Sequence, residues 1–226
     1  MKATWPKMCG RFTQAYTWQE LADLYRLAAP PIHLQRRYNI APTAAIDVVI
    51  AGGGGQFELV RMRWGLIPSW WGNSAEELPA TFNARAETVA SKPMFRAAFE
   101  RNRCVIPASG YYEWKPTRNG KQPYYISARD GAILSFAGLW DEWHDIEIGE
   151  TIRSCAIIVT GANALTRPVH EQMPVVLKRF EPWLAGVAGA EVLKPAPEDM
   201  LQMWPVSRRV NRVGHDADRT LIEAVQ

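Results

Sequence analysis

Between residues 103 and 160 the chain reads as one strand after another, with Asn119-Gly120 and Asp130-Gly131 set between them. Asn-Gly and Asp-Gly supply the positive φ angles of tight two-residue turns, and such turns join neighbouring antiparallel strands. The strand-like runs are 103–106, 110–115, 123–127, 132–137 and 151–160, the last apolar enough at its end to be central. Upstream, 45–50 and 57–62 form another such pair around Gly52-Gly53-Gly54-Gly55, a hairpin whose tip should be mobile. Helical patterns are few. Thr17-Trp18-Gln19-Glu20 is a capping box opening a helix with Trp18, Leu21, Tyr25 and Ala28 on one face, stopped by Pro30-Pro31. Residues 93–101 form a second helix, 181–188 and 197–202 short ones, and 204–210 a last strand. Strands dominate without alternating regularly with helices, which gives an α+β fold with a mainly antiparallel sheet.

The 226 residues fit one domain, and no repeat or linker-like shift in composition divides them. With 47 % hydrophobic and 22 % charged residues the chain is an ordinary folded one. No apolar run approaches the ~18 residues of a membrane span, and residues 1–7 lack a secretory signal's apolar stretch. A cytoplasmic protein without membrane contact is expected. Three cysteines without C-x-x-C spacing support neither a disulfide framework nor a metal site, so no metal and no cofactor are expected. Cys104 and Cys155 sit in strand-like runs as packing residues. Of the 26 basic residues 19 are Arg, and there are ten Trp. Arg grips phosphate with two donors at once, and exposed aromatics stack on bases, so a single-stranded nucleic acid is a candidate partner.

A few residues carry potential chemistry. Cys9 follows Met8; were the first eight residues removed, it would hold a thiol and a free α-amine. With pKa values near ~8.5 and ~7.7–8.0, both are partly nucleophilic at neutral pH. Such an aminothiol attacks an aldehyde twice, through nitrogen to an imine and through sulfur to a thiazolidine. Glu113 lies in Tyr111-Tyr112-Glu113-Trp114-Lys115, opposite in face to Tyr112 and Trp114. Facing inward it is a carboxylate fit for proton transfer; facing outward it is a solvated strand residue. His170 sits in the proline-bounded stretch 167–174, where a loop histidine can act as a general acid. Asn83-Ala84-Arg85-Ala86-Glu87-Thr88 is a polar patch in which Arg85 either pairs with Glu87 or faces a ligand, and Asn83 either caps a turn or orients one. Trp70-Trp71 follow Pro68-Ser69 and either stack on bases or fill core.

Seven stretches in order resemble one family. They are Met8-Cys9-Gly10-Arg11-Phe12, residues 37–43 (RYNIAPT), 64–70 (WGLIPSW), 83–88 (NARAET), 110–115 (GYYEWK), 136–140 (FAGLW) and 170–174 (HEQMP). Together they are similar to the successive motifs of the SOS response-associated peptidase (SRAP) family. The resemblance implies a β pseudo-barrel with short peripheral helices and a protein that crosslinks covalently to abasic sites in single-stranded DNA. It implies that Cys9, once N-terminal, forms the thiazolidine, that Asn83 orients the sugar, that Glu113 shuttles protons and that His170 protonates the ring oxygen. Arg11 and Arg85 would bind phosphates, while Pro42, Trp70, Trp71 and Trp114 shape the strand's path. Two departures stand out. Residues 1–7 precede the Met that normally opens such chains, so residues 1–8 are expected to be a removable extension. Gln172 stands where many members carry Arg, which removes a charge.

Two other readings of the same residues are an N-terminal-nucleophile hydrolase, in which Cys9 attacks an amide with help from Glu113 or His170, and a non-covalent single-strand-binding module indifferent to Cys9. One strand-sized groove per domain makes a monomer the expected state.

Overall fold

The computed structural model describes residues 10–146 and 148–225. Cys9 lies outside the described residues. The first helix, α1 (Trp18–Tyr25), begins as its sequence dictates: the Glu20 N–H donates to the Thr17 hydroxyl, and the Glu20 carboxylate accepts from the Thr17 N–H at 2.6 Å. That closes the capping box and buries Trp18, Leu21 and Tyr25 on one face. The helix stops earlier than the prolines would have stopped it. Arg26 takes a left-handed conformation (φ 53°, ψ 48°) and its N–H turns back to the Ala22 carbonyl, leaving Ala28 outside the helix and exposed. The second helix, α2 (Pro93–Arg101), matches its expected span, with proline in the first turn, where its missing N–H costs no hydrogen bond.

Among the described residues, twelve strands form two sheets. The smaller contains β1 (Phe12–Gln14), β2 (Arg37–Ile40), β7 (Gly110–Thr117), β8 (Gly120–Ala128) and β12 (Leu201–Pro205), in the order β12-β8-β7-β1-β2 and antiparallel throughout. The larger contains β3 (Ala45–Ala51), β4 (Phe57–Trp64), β5 (Asn83–Arg85), β6 (Arg103–Ala108), β9 (Leu134–Asp145), β10 (Glu150–Gly161) and β11 (Gln172–Pro174). Its order β10-β4-β3-β6-β9 closes on itself, because β9 also pairs with β10; β5 and β11 add to β10. The sheet is antiparallel except where β10 runs parallel to β4 and β5. The expected α+β class with a mainly antiparallel barrel-like sheet is what forms.

The turn expectations divide. Asn119-Gly120 joins β7 to β8 as a hairpin, with Gly120 at φ 97°. The glycine run joins β3 to β4 through a 3-10 turn, Gly53–Gly55, where φ reaches 67° and 77° at Gly54 and Gly55. Asp130-Gly131 is different: β8 and β9 belong to separate sheets, so this turn carries the chain across the core instead of closing a hairpin. Near the C-terminus, the helix expected over 181–188 is only α3 (Glu181–Leu184), and 197–202 holds a 3-10 turn, Glu198–Met200, followed at once by β12. The last strand thus starts three residues before its expected beginning and ends at Pro205. Ser207 then caps a 3-10 turn, Arg208–Asn211, where a strand was expected.

Between the sheets lie Phe12, Tyr111 and Ile126 from the smaller and Trp64, Ile106, Phe136 and Ile157 from the larger. Phe12 meets Trp64 edge-on, ring centres 4.9 Å apart. Each such buried side chain contributes about 1.5–3 kcal/mol. A second apolar layer, with Val49, Val105 and Ile158, covers the outside of the larger sheet beneath α1, α2 and Trp183. A third packs Tyr112 and Tyr125 against Val206, Val210 and Leu221, so the C-terminal segment straps the smaller sheet. Cys104 and Cys155 are fully buried, and burial pushes both thiols up in pKa, which makes them packing residues. Among the described residues no helix is long and apolar enough to cross a membrane.

Candidate functional site

One strand sets the geometry of the site. Along β10, Ile157 faces Asn83, Val159 faces Arg85 and Gly161 faces Gln172. Asn83 and Arg85 are two residues apart on β5, so they share a face, while Ala84 turns into the outer apolar layer. Asn83 is buried and Arg85 exposed at the rim. On the smaller sheet, β7 places Tyr111 and Glu113 inward and Tyr112 and Trp114 outward, which settles the inward reading of Glu113: it is only 3 % exposed.

Between these residues lies an open cleft of about 1240 Å³. Arg11, Trp114, Lys121 and Asn211 line it from the smaller sheet and its strap, and Arg85, Arg167, His170 and Gln172 from the other side, with Glu113 also in its wall. Glu113 Oε2 lies 3.7 Å from His170 Nδ1, beyond a direct hydrogen bond but well inside charge–charge range. The same nitrogen is 3.1 Å from both the N–H and the carbonyl oxygen of Gln172. Bare, Nδ1 accepts from that N–H; carrying a hydrogen, it donates to the carbonyl, so its role follows the tautomer. Nδ1 therefore has a partner in either tautomer.

Arg11 is fixed before any ligand arrives. Its Nη1 donates to Asn39 Oδ1 and to the Val210 carbonyl, both at 2.8 Å. Burial lowers its pKa, and Asp216 works against that shift. Asn39, itself buried, donates onward to the carbonyls of Val210 and Arg212. Trp114 is pinned likewise, its indole N–H donating to Asn211 Oδ1 at 2.8 Å. Arg85 forms no ion pair with Glu87 or any other described residue, so the pairing that its sequence neighbourhood suggested is not made.

The cleft thus gathers Arg11, Arg85, Glu113, Trp114 and His170, with Asn83 buried beside it. Pro42, Trp70 and Trp71 are not among its described lining. Trp70 is 54 % exposed. Trp71 donates from its indole N–H to the Ser74 carbonyl and accepts from the Trp143 indole. Trp143 faces Ile152, which stands nine residues along β10 from Gly161, roughly 30 Å of extended strand. Residue types alone did not single out Asn39, Lys121, Arg167 or Asn211. A signal was present for two of them: Asn39 lies in the 37–43 motif, and Arg167 precedes His170 by three residues. Among the described residues, no three His, Cys, Asp or Glu side chains group closely enough to hold a metal ion.

Comparison with known proteins bears on this arrangement. Residues 8–213 match the family model described as SOS response associated peptidase (SRAP). The abasic site processing protein YoaM of Bacillus subtilis is 34 % identical over 215 residues, covering 90 % of this chain and 93 % of that protein. The abasic site processing protein YedK of Escherichia coli is 28 % identical, over 91 % of this chain and 95 % of its own length. Among solved structures, a protein from Bacteroides thetaiotaomicron superposes with a TM-score of 0.82 at 27 % identity, covering 96 % of this chain and all of that one.

Proposed function

The chain belongs to the SOS response associated peptidase family, and from that membership we propose that it processes abasic sites in DNA, by a covalent bond from Cys9 to the lesion in a single strand. Relatives named as abasic site processing proteins support the lesion. The observation that carries the chemistry is the buried Glu113 beside His170 in a cleft flanked by Arg11 and Arg85. In the sequence Cys9 precedes Arg11, a cleft residue, by two positions.

In this reading the ring-opened abasic sugar presents an aldehyde to the cleft. His170 protonates the sugar oxygen as the ring opens. The Cys9 α-amine adds to the carbonyl carbon and water leaves, giving an imine; the Cys9 sulfur then adds to the imine carbon while its proton passes to nitrogen, closing a thiazolidine. Glu113, buried in the wall of the cleft, takes and returns the protons of these steps. Asn83 orients the sugar, Arg11 and Arg85 hold flanking phosphates, and Trp114 stacks on a base. Pro42, Trp70 and Trp71 serve the strand farther along its path. A single domain acting as a monomer suffices for one such strand.

The test begins with the intact mass of the expressed protein, expected to correspond to a chain starting at Cys9. Mixed with single-stranded DNA bearing one abasic site, that chain should give a shifted band surviving heat and detergent, and Cys9→Ser should abolish it. Equal crosslinking by a chain that retains residues 1–8 would overturn the aminothiol mechanism, because an internal cysteine has an amide nitrogen and makes no imine.

A further inference from the structure

The turn that delivers His170 also delivers a cation. Asn163 organises it: its Oδ1 accepts from both the N–H and the hydroxyl of Thr166 at 3.0 Å, and its Nδ2 donates to the Ala196 carbonyl at 2.9 Å. The N–H groups of Val169 and His170 both return to the Thr166 carbonyl, and that of Arg167 to the Asn163 carbonyl. On this held backbone Arg167 and His170, three residues apart, both line the cleft. One guanidinium nitrogen of Arg167 donates to the Ala162 carbonyl at 3.0 Å, which anchors the group and leaves most of its five N–H donors for a ligand. Glu87 and Glu171 line the same cleft, yet among the described residues no carboxylate stands within 4.0 Å of Arg167. Gln172, across the ladder from Gly161, offers an amide without charge.

We propose that Arg167 is a phosphate ligand: its guanidinium holds the backbone phosphate next to the nucleotide that reaches Glu113 and His170, supplying the charge that Gln172 lacks. This rests on the single-strand reading above. The fork of guanidinium donors matches two phosphate oxygens, and the anchor to Ala162 lowers the entropy lost on binding. Because the same turn carries His170, filling the phosphate site also fixes the imidazole over the sugar.

The experiment titrates wild-type protein, Arg167→Ala, Arg167→Gln, Gln172→Arg and the double variant Arg167→Ala/Gln172→Arg with a fluorescent, undamaged single strand, from about 50 to 200 mM salt. Arg167→Ala and Arg167→Gln should weaken binding about tenfold and make the log–log salt slope shallower by about 0.7, the share of one phosphate contact on a single strand. Gln172→Arg in the Arg167→Ala background should restore the slope, since it returns one charge to the same wall. Wild-type slope and affinity in Arg167→Ala would overturn the inference. So would a loss that Gln172→Arg leaves unrepaired while thermal stability falls, which would make Arg167 a brace for residue 162. Failure of wild-type protein to bind the strand at all would instead overturn the function from which the inference starts.

Discussion

Asn39→Ala is the substitution with the most to say about how the cleft is held. Asn39 is 1 % exposed and joins three parts of the chain: its Oδ1 accepts from the Arg11 guanidinium at 2.8 Å, and its Nδ2 donates to the carbonyls of Arg212 at 2.8 Å and Val210 at 3.3 Å. The bond to a charged group is worth about 1.5–3 kcal/mol and the shorter neutral one about 0.5–1.5, the longer one adding little. Their loss amounts to about 2–4 kcal/mol. For a chain of this size each kcal/mol moves the melting temperature by about 2–4 °C, so the variant should melt roughly 5–15 °C lower in a calorimeter. Arg11 keeps its bond to the Val210 carbonyl, so it loosens without leaving. Adding Arg11→Ala to Asn39→Ala should therefore cost less than the two changes separately, with about 0.5–3 kcal/mol of coupling. A melting temperature within about 2 °C of wild type, or strict additivity, would refute this account of the corner.

Glu113→Gln keeps the shape of the buried side chain and removes its proton transfer; crosslinking of an abasic strand, and its reversal, should slow by about 10²-fold or more while binding to intact strand is unchanged, as single-turnover kinetics and fluorescence anisotropy would report. Asp47 offers a pH test. Burial raises its pKa above the ordinary 3.8, against the opposing pull of Arg61 and a hydrogen bond from Tyr16. The folded state then binds the proton more tightly than the unfolded one, so stability is full below the ordinary carboxylate range and declines as pH rises through the raised value. Asp47→Asn should melt with wild type near about pH 3 and above it near about pH 8; a constant gap would exclude Asp47 as the source.

What the sequence told of this fold follows the range of the forces involved. The capping box at Thr17 and the Asn119-Gly120 hairpin are decided within four residues, and both formed as read. Asp130-Gly131 has the same local chemistry, but which strands it joins depends on whether β9 finds β8 or β6 and β10, a choice made by apolar faces far apart in the chain. The early end of α1 has a similar cause: Pro30 forbids helix beyond itself and says nothing about Arg26, whose left-handed turn suits the burial of Tyr25. In the site, Glu113 was visible because alternation along β7 opposes it to Tyr112 and Trp114. Asn39 was visible only within a motif, because its role lies in partners about 170 residues away. Trp70 and Trp71 were legible as a pair of rings on a loop, yet their distance from the cleft follows from the Trp71–Trp143 contact, which no local pattern encodes.

The ladder along β10 works as a ruler for everything assembled beside it. Asn83, Arg85 and Gln172 take their spacing from positions 157, 159 and 161 of one strand. A single residue inserted between 157 and 161 would turn one group toward the cleft and the next away from it. The same insertion in the loop before β5 would be absorbed without moving any of them. Lineages of this fold are thus free to lengthen that loop, while the stretch of β10 behind the site, and the turn at 163–170 that carries Arg167 and His170, must keep their length to the residue.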